Sequence, residues 1–393
     1  MKPTIYLAFV DDWELSGNGS GDIRELQFRP MRELVKIYNA NGVLGSFNAE
    51  TMQQLSFRKH QAANPELREL ADEWDDHVRE TFRQGHDIQL HVHPQWQDAE
   101  YQGGKWKLSA DWSILNFDPE TAYRLLQSGK EYLENLLQPL DRNYRCVSFR
   151  AGSWCIAPSP HALSLLVKLG IVFDMSIVGG LHYETKNITL DYTNCEEDFL
   201  PYYPTMTDAR RVSDKVEPII CVPTNHFYSS RRQVFKHHAA QVWARIGKSL
   251  GGGKPAKHTR SVEAYGSEWE EKSHSSALTR VVDKGIKPYL KGKHLISDIA
   301  QLDYGLLQEM LASIRARARA RSVSQLPVIL ENHTKDVRNF AGIERFTADV
   351  ARADDIKCVT LTEMSREFAR GTFEIRTATA GAAEDRPSRL SYL

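Results

Sequence analysis

The chain has 393 residues, 41% of them hydrophobic and 26% charged, which is enough apolar material for a large core in one or two domains. A formal net charge of -1 gives no global field to draw in nucleic acid or an anionic membrane, and no run of about 18 apolar residues suits a spanning helix. The five scattered cysteines form no Cys-x-x-Cys pair and read as reduced thiols. Met1-Lys2-Pro3 leads directly into an apolar strand without a secretory h-region, so the expected compartment is the cytoplasm.

Ile5 to Val10 is a strand-like run that stops at Asp11-Asp12. Two adjacent acids at the end of an apolar strand are costly unless paired or liganded, although such a pair also serves as a turn or helix cap. Pro30 to Asn41 predicts a helix, Gly42 to Phe47 a strand, and Glu66 to Gln84 a helix that Pro65 opens and Gly85 stops. The next strand ends in His91-Val92-His93-Pro94. Side chains two apart on a strand share a face, so both imidazoles can reach one cation, with an N-terminal carboxylate as third ligand. The plainer alternative is a pair of ordinary hydrogen-bonding histidines.

Helices follow at Pro119 to Leu137 and Pro160 to Leu169, and strands at Cys146 to Arg150 and Ile171 to Asp174. Later come a helix from about Asp298 that ends in the Arg315 to Arg321 arginine cluster, a strand at Pro327 to Leu330, a helix near Ile343 to Ala353, a strand at Lys357 to Thr360 and a last helix at Leu361 to Arg370. Strand and helix alternating in this way imply a parallel sheet, open or closed into a barrel. Asp11, Asp12, His91, His93, Arg150, Asp174 and His333 all fall at C-terminal strand ends, the edge where parallel α/β proteins build active sites.

The pattern breaks at 229–297, a basic, polar stretch with a helical piece at His237 to Leu250. It reads as an insertion or cap on a barrel formed by 1–228 and 298–372, and an acidic partner or anionic substrate is the alternative reading for its charge. Gly251-Gly252-Gly253-Lys254 is no phosphate loop, because Pro255 stands where that loop needs Ser or Thr. The composition of 373–393 suggests a disordered tail.

In motif order the residues resemble the polysaccharide deacetylases of carbohydrate esterase family 4. The matching segments are Phe9-Val10-Asp11-Asp12, Gly85-His86-Asp87-Ile88 leading to His91, Phe149-Arg150-Ala151-Gly152-Ser153-Trp154, Phe173-Asp174-Met175-Ser176 and Leu330-Glu331-Asn332-His333. His-x-His-Pro followed by Trp, at His91 to Trp96, is similar to bacterial surface-polysaccharide members. The resemblance implies a distorted (β/α) barrel of the polysaccharide deacetylase type with an inserted basic helical segment. It further implies one divalent metal ion, zinc by donor type, held by Asp12, His91 and His93, the last in place of the family's usual second histidine, whose position is Gln95.

Asp11 would then be the general base, oriented by Arg150, with Asp174 assisting. The Trp154 amide would face the oxyanion and His333, followed by Asp336, would protonate the leaving amine. Trp96 and Trp154, with Trp106 and Trp112 nearby, would stack on sugar rings, and His226 is a further candidate for the pocket. The implied activity is removal of an N-acyl group, acetyl by type, from an amino sugar in a polysaccharide or its lipid-linked precursor, with peripheral contact to that glycan. Two rivals are a catalytically inactive relative that binds glycans or a partner enzyme, and a metal-dependent hydrolase of another bond such as a phosphoester.

Overall fold

The computed structural model describes residues 3–184, 188–236, 293–337 and 339–378. Its main sheet contains β1 (Thr4–Trp13), β2 (Ser46–Glu50), β3 (Asp87–Val92), β4 (Ser148–Ala151), β5 (Phe173–Asp174), β6 (Ile220–Cys221), β7 (Gln325–His333) and β8 (Ile356–Cys358). All neighbours are parallel, in the order β6-β5-β4-β3-β2-β1-β7, and β8 pairs with the first half of β1. The sheet curls until one parallel bridge, Thr224 to Ile329, links the segment after β6 to β7. This is the parallel sheet that the strand-helix alternation predicts, curled into the distorted (β/α) barrel that the resemblance implies.

Helices α1 (Arg29–Ala40), α2 (Thr51–His60), α3 (Pro65–Arg83), α4 (Pro119–Leu137), α5 (Ala162–Lys168), α6 (Tyr304–Ala320), α7 (Phe340–Ala351) and α8 (Leu361–Ala369) occupy the connections. The starts of α3 and α4 fall at the expected prolines, where a missing N–H costs nothing, and Asp118 caps α4 through the amides of Glu120 and Thr121. Helix α2 has no counterpart in the sequence reading. Its three apolar residues, Met52, Leu55 and Phe57, follow no clean helical stripe, and it is held also by buried amides such as Gln54, which donates to the Ala71 carbonyl and to Asp75.

The strands divide their side chains between two cores. On β1, Tyr6, Ala8 and Val10 join Phe173, Met175, Ile329, Leu361 and Met364 inside the barrel, whereas Ile5, Leu7 and Phe9 belong to the layer between sheet and helices. Continued by the two-residue period, that division puts Asp12 on the interior side and Asp11 on the helix side. Strand β1 runs on to Trp13, pairing Asp12 with Asn48 and with His333, so it does not stop at the acids as expected.

Strands His226–Ser229 and Lys293–Ile296 pair antiparallel, so the segment expected as an insertion leaves and returns side by side. The helix expected at His237 to Leu250 and the glycines Gly251 to Gly253 lie outside the described residues, as does 379–393. Residues 373–378, expected in a disordered tail, are instead packed: Phe373 is buried against Tyr6 and Phe368, and the Arg376 amide donates to the Pro201 carbonyl. The arginine cluster is partly used in ion pairs, Arg315 with Asp355 and Arg317 with Asp198. Among the described residues no helix is long and apolar enough to cross a membrane.

Candidate active site and metal centre

The interior-facing ends of β1, β2, β3, β4 and β7 converge on one buried polar cluster. Because β1 runs on to Trp13, the next interior residue is Glu14, just past its end, whose carboxylate lies between His91 of β3 and His93, which directly follows that strand. Oε2 of Glu14 is 3.1 Å from His91 Nε2 and also contacts His93 Nε2. Glu50, at the end of β2, completes a set of four whose ligand atoms all lie within 4.8 Å of one another. Its Oε1 caps α2 through the amides of Met52 and Gln53, while the buried Oε2 has no hydrogen-bond partner among the described residues.

Ring orientation supports this grouping. His91 Nδ1 is 2.8 Å from the Arg150 carbonyl, so its N–H donates there and Nε2 turns to the carboxylates. Gln95 Nε2 donates to His93 Nδ1 at 3.0 Å and so fixes that ring with the opposite tautomer, its own N–H at Nε2 toward Glu14. Gln95 thus orients His93 from the position where the resemblance expects the second histidine.

Asp12 occupies a different niche. Its Oδ1 accepts from Arg150 Nη1 at 2.7 Å and from Asn48 Nδ2 at 2.8 Å, and its Oδ2 is 3.9 Å from His333 Nε2. Burial opposes its ionisation, but the charges of Arg150, His91 and His333 outweigh burial and hold the carboxyl below the usual aspartate range. On the other ring nitrogen of His333, Nδ1 is 3.0 Å from Asp298 and 3.2 Å from Glu331, which leaves Nε2 aimed between Asp12 and Glu14, 4.0 Å from the latter. Burial and nearby Lys335 work against the charge on His333, yet Glu331 and Asp298 raise it to about 10.

Three of the expected site residues stand elsewhere. Asp11 faces the helix layer, where Tyr38 donates to it at 3.0 Å and Asn332 donates to its other oxygen. Burial lifts it to about 7 against those two hydrogen bonds, and Arg150 pairs with Asp12 instead. The general-base role drawn for Asp11 is therefore corrected: period two puts its side chain on the opposite face of the sheet from the metal-type donors. Asp174 likewise turns outward and is tied to the amide and hydroxyl of Ser176, with burial raising it to about 6.

Trp96 is the third, 2% exposed and packed edge-on against Phe57 and Trp106, so no sugar can reach it. Trp106 and Trp112 are buried as well. Trp154, half-buried, does reach the site, with its ring edge-on to His333 at 5.5 Å. His226 pairs with His294 and Asp198 and is in none of these groups.

The sequence reading missed Glu14, Glu50, Glu331, Asp298 and Lys335. Lys335 follows His333 and forms an ion pair with Glu14. The ionised carboxylates of Asp12 and Glu14 sit among these groups and draw a proton onto His91. His91 rises to about 9 through Asp12 and Glu14 in spite of its burial. Two imidazoles and two carboxylates, one of them Glu50, are a donor set that suits a first-row divalent cation.

No family model matches this chain, and no curated protein matches it either. Solved structures similar to it include one described as a polysaccharide deacetylase of Mycobacterium smegmatis, with 14% identity, a TM-score of 0.47 and coverage of 99% of this chain and 96% of that one. Puue allantoinase shows 11% identity and a TM-score of 0.46 over 94% of this chain and 91% of its own. A structure described as a polysaccharide deacetylase of Pseudomonas aeruginosa PAO1 shows 12% identity and a TM-score of 0.44 over 93% and 91%.

Proposed function

We propose that the chain is a metal-dependent amide hydrolase of the carbohydrate esterase family 4 type, removing an N-acyl group, acetyl by family resemblance, from an amino sugar. The observation that carries this reading is the juxtaposition of two devices on one barrel end. A four-donor set, Glu14, Glu50, His91 and His93, lies beside an arginine-held carboxylate, Asp12, and a carboxylate-held imidazole, His333. A bound divalent ion, zinc by donor type, would acidify water and polarise the acyl carbonyl.

The protein's own groups then divide the work. Asp12, kept ionised by Arg150, accepts the proton of the attacking water. His333, charged and held at Nδ1 by Asp298, carries at Nε2 the proton that the departing amine needs. The backbone amide at Trp154 faces the oxyanion in the family pattern, a donor of a kind typically worth about 3–4 kcal/mol. Relative to the family resemblance, the roles move along β1: base from Asp11 to Asp12, carboxylate ligand from Asp12 to Glu14. A cytoplasmic setting would make the substrate a lipid-linked or growing surface polysaccharide.

The test is elemental analysis combined with acetate release from N-acetylated amino sugars. Wild type should carry one metal per chain and release acetate, while Glu14→Gln should lose both. A second reading has an observation behind it too, because Lys335 on Glu14 and Arg150 on Asp12 give the cluster cations of its own, as a glycan-binding relative without metal would need. Wild-type protein free of stoichiometric metal and inactive after metal addition would favour that reading.

A further inference from the structure

Ser153 and Trp154 follow β4 with φ of 55° and 54°, two consecutive non-glycine residues in the left-handed region. A side chain pays for that conformation through contact of its Cβ with the backbone, so a pair of them persists only where surrounding structure enforces it. The enforcing contacts come from a separate hairpin, His182–Glu184 with Thr189–Asp191. Tyr183 Oη donates to the Ser153 carbonyl at 2.8 Å, and Tyr192 Oη donates to the Trp154 carbonyl. Tyr192 is 0% exposed and its hydroxyl also accepts from the Ile156 amide at 3.2 Å, so both sides of the turn meet one phenol. The thiol of Cys155 adds a weaker contact to the Ser153 carbonyl at 3.3 Å.

The turn they hold is set tightly into the site. A Cβ on Gly152 would come 2.6 Å from the Val92 carbonyl and 3.0 Å from the His93 ring, so nothing larger than glycine fits between the turn and the metal-type donors. On its far side the Trp154 indole stands edge-on to His333, and its buried Nε1 has no hydrogen-bond partner among the described residues. We infer that Tyr183 and Tyr192 are positioning residues, a pair of phenol clamps that hold Ser153 and Trp154 left-handed and so fix the indole against His333. The inference rests on the proposed hydrolysis only for its kinetic consequence; the placement of the indole can be read without it.

The experiment labels the full-length protein with 5-fluorotryptophan, assigns the Trp154 resonance with Trp154→Phe, and compares wild type with Tyr183→Phe, Tyr192→Phe and Tyr183→Phe/Ser153→Gly. Loss of either hydroxyl should shift or broaden the Trp154 signal while the other indoles stay in place. Acetate release from N-acetylglucosamine oligosaccharides should lose about 10²-fold in kcat with KM little changed. Ser153→Gly should restore much of both in the Tyr183→Phe background, because glycine adopts the left-handed region without the clamp.

An unmoved Trp154 resonance in both phenylalanine variants would overturn the inference, as would a shift that Ser153→Gly leaves unchanged. Should wild type release no acetate, the proposed reaction fails, and the fluorine spectra still decide the clamp.

Discussion

A carboxylate serves as a base toward bound water only if it is ionised at working pH and shares a face with the group that presents the water. Asp12 meets both conditions through Arg150 and period-two geometry, whereas Asp11 faces away and holds its proton up to about pH 7. Asp12→Asn should therefore retain metal and lose about 10²- to 10⁴-fold in kcat. Asp11→Asn should turn over near the wild-type rate, and both effects are read by elemental analysis beside steady-state assay.

Asp11 should show itself in stability instead. Its folded carboxyl binds a proton up to about pH 7, whereas in the unfolded chain it ionises near the ordinary aspartate value of 3.8. Stability from this group is then complete below about pH 4 and is lost as pH rises to about 7, by roughly 4 kcal/mol at most. Urea unfolding of wild type and Asp11→Asn across that window should differ in slope, with the variant flatter. Parallel curves would mean that the buried carboxyl is already ionised in the fold.

At the level of elements, the strand ends explain which parts of the site were legible in the sequence. His91 and His93 are two apart at the end of an apolar strand, so they announce a shared face, and Arg150 and His333 likewise stand at predicted strand ends. Glu14 obeys the same rule with Asp12, but two acids in succession read as the end of β1, and the strand in fact runs on to Trp13. Glu50 was hidden by its second task, since a carboxylate between a strand and a helix looks like an N-cap and does cap α2. Asp298 follows the segment that breaks the alternation, and no periodicity marks it. Trp96 failed for the opposite reason: an aromatic beside a histidine motif looks functional, and only packing shows it closed in by Phe57 and Trp106.

Strand β3 offers a direct check of the ligand set. If His93 is a ligand and Gln95 its support, His93→Ala should abolish stoichiometric metal binding, whereas Gln95→Ala should weaken affinity by about 10- to 100-fold and leave stoichiometry intact. Competition with a chromophoric chelator measures both. Equal metal content and affinity in the two variants would remove His93 from the set.

At the scale of the whole molecule, the residues that would hold the cation come from β1, β2 and β3, which are adjacent in the sheet, while His333 comes from β7 on the other flank of β1. An ion that binds the folded chain and not the unfolded one stabilises it by an amount set by its free concentration over Kd, about 2.7 kcal/mol at a hundredfold excess. Because the donors are confined to three neighbouring strands, the gain should be uneven. Amides of β1, β2 and β3 should gain hydrogen-exchange protection on metal addition, and those of β5 and β6, which supply no donor, should gain only what global stabilisation gives. Chelator should reverse the change, and Glu14→Gln should show none of it. Uniform protection across the sheet in wild type would mean that the barrel opens as one unit, and protection focused on β4 to β6 would place the ion away from Glu14, Glu50, His91 and His93.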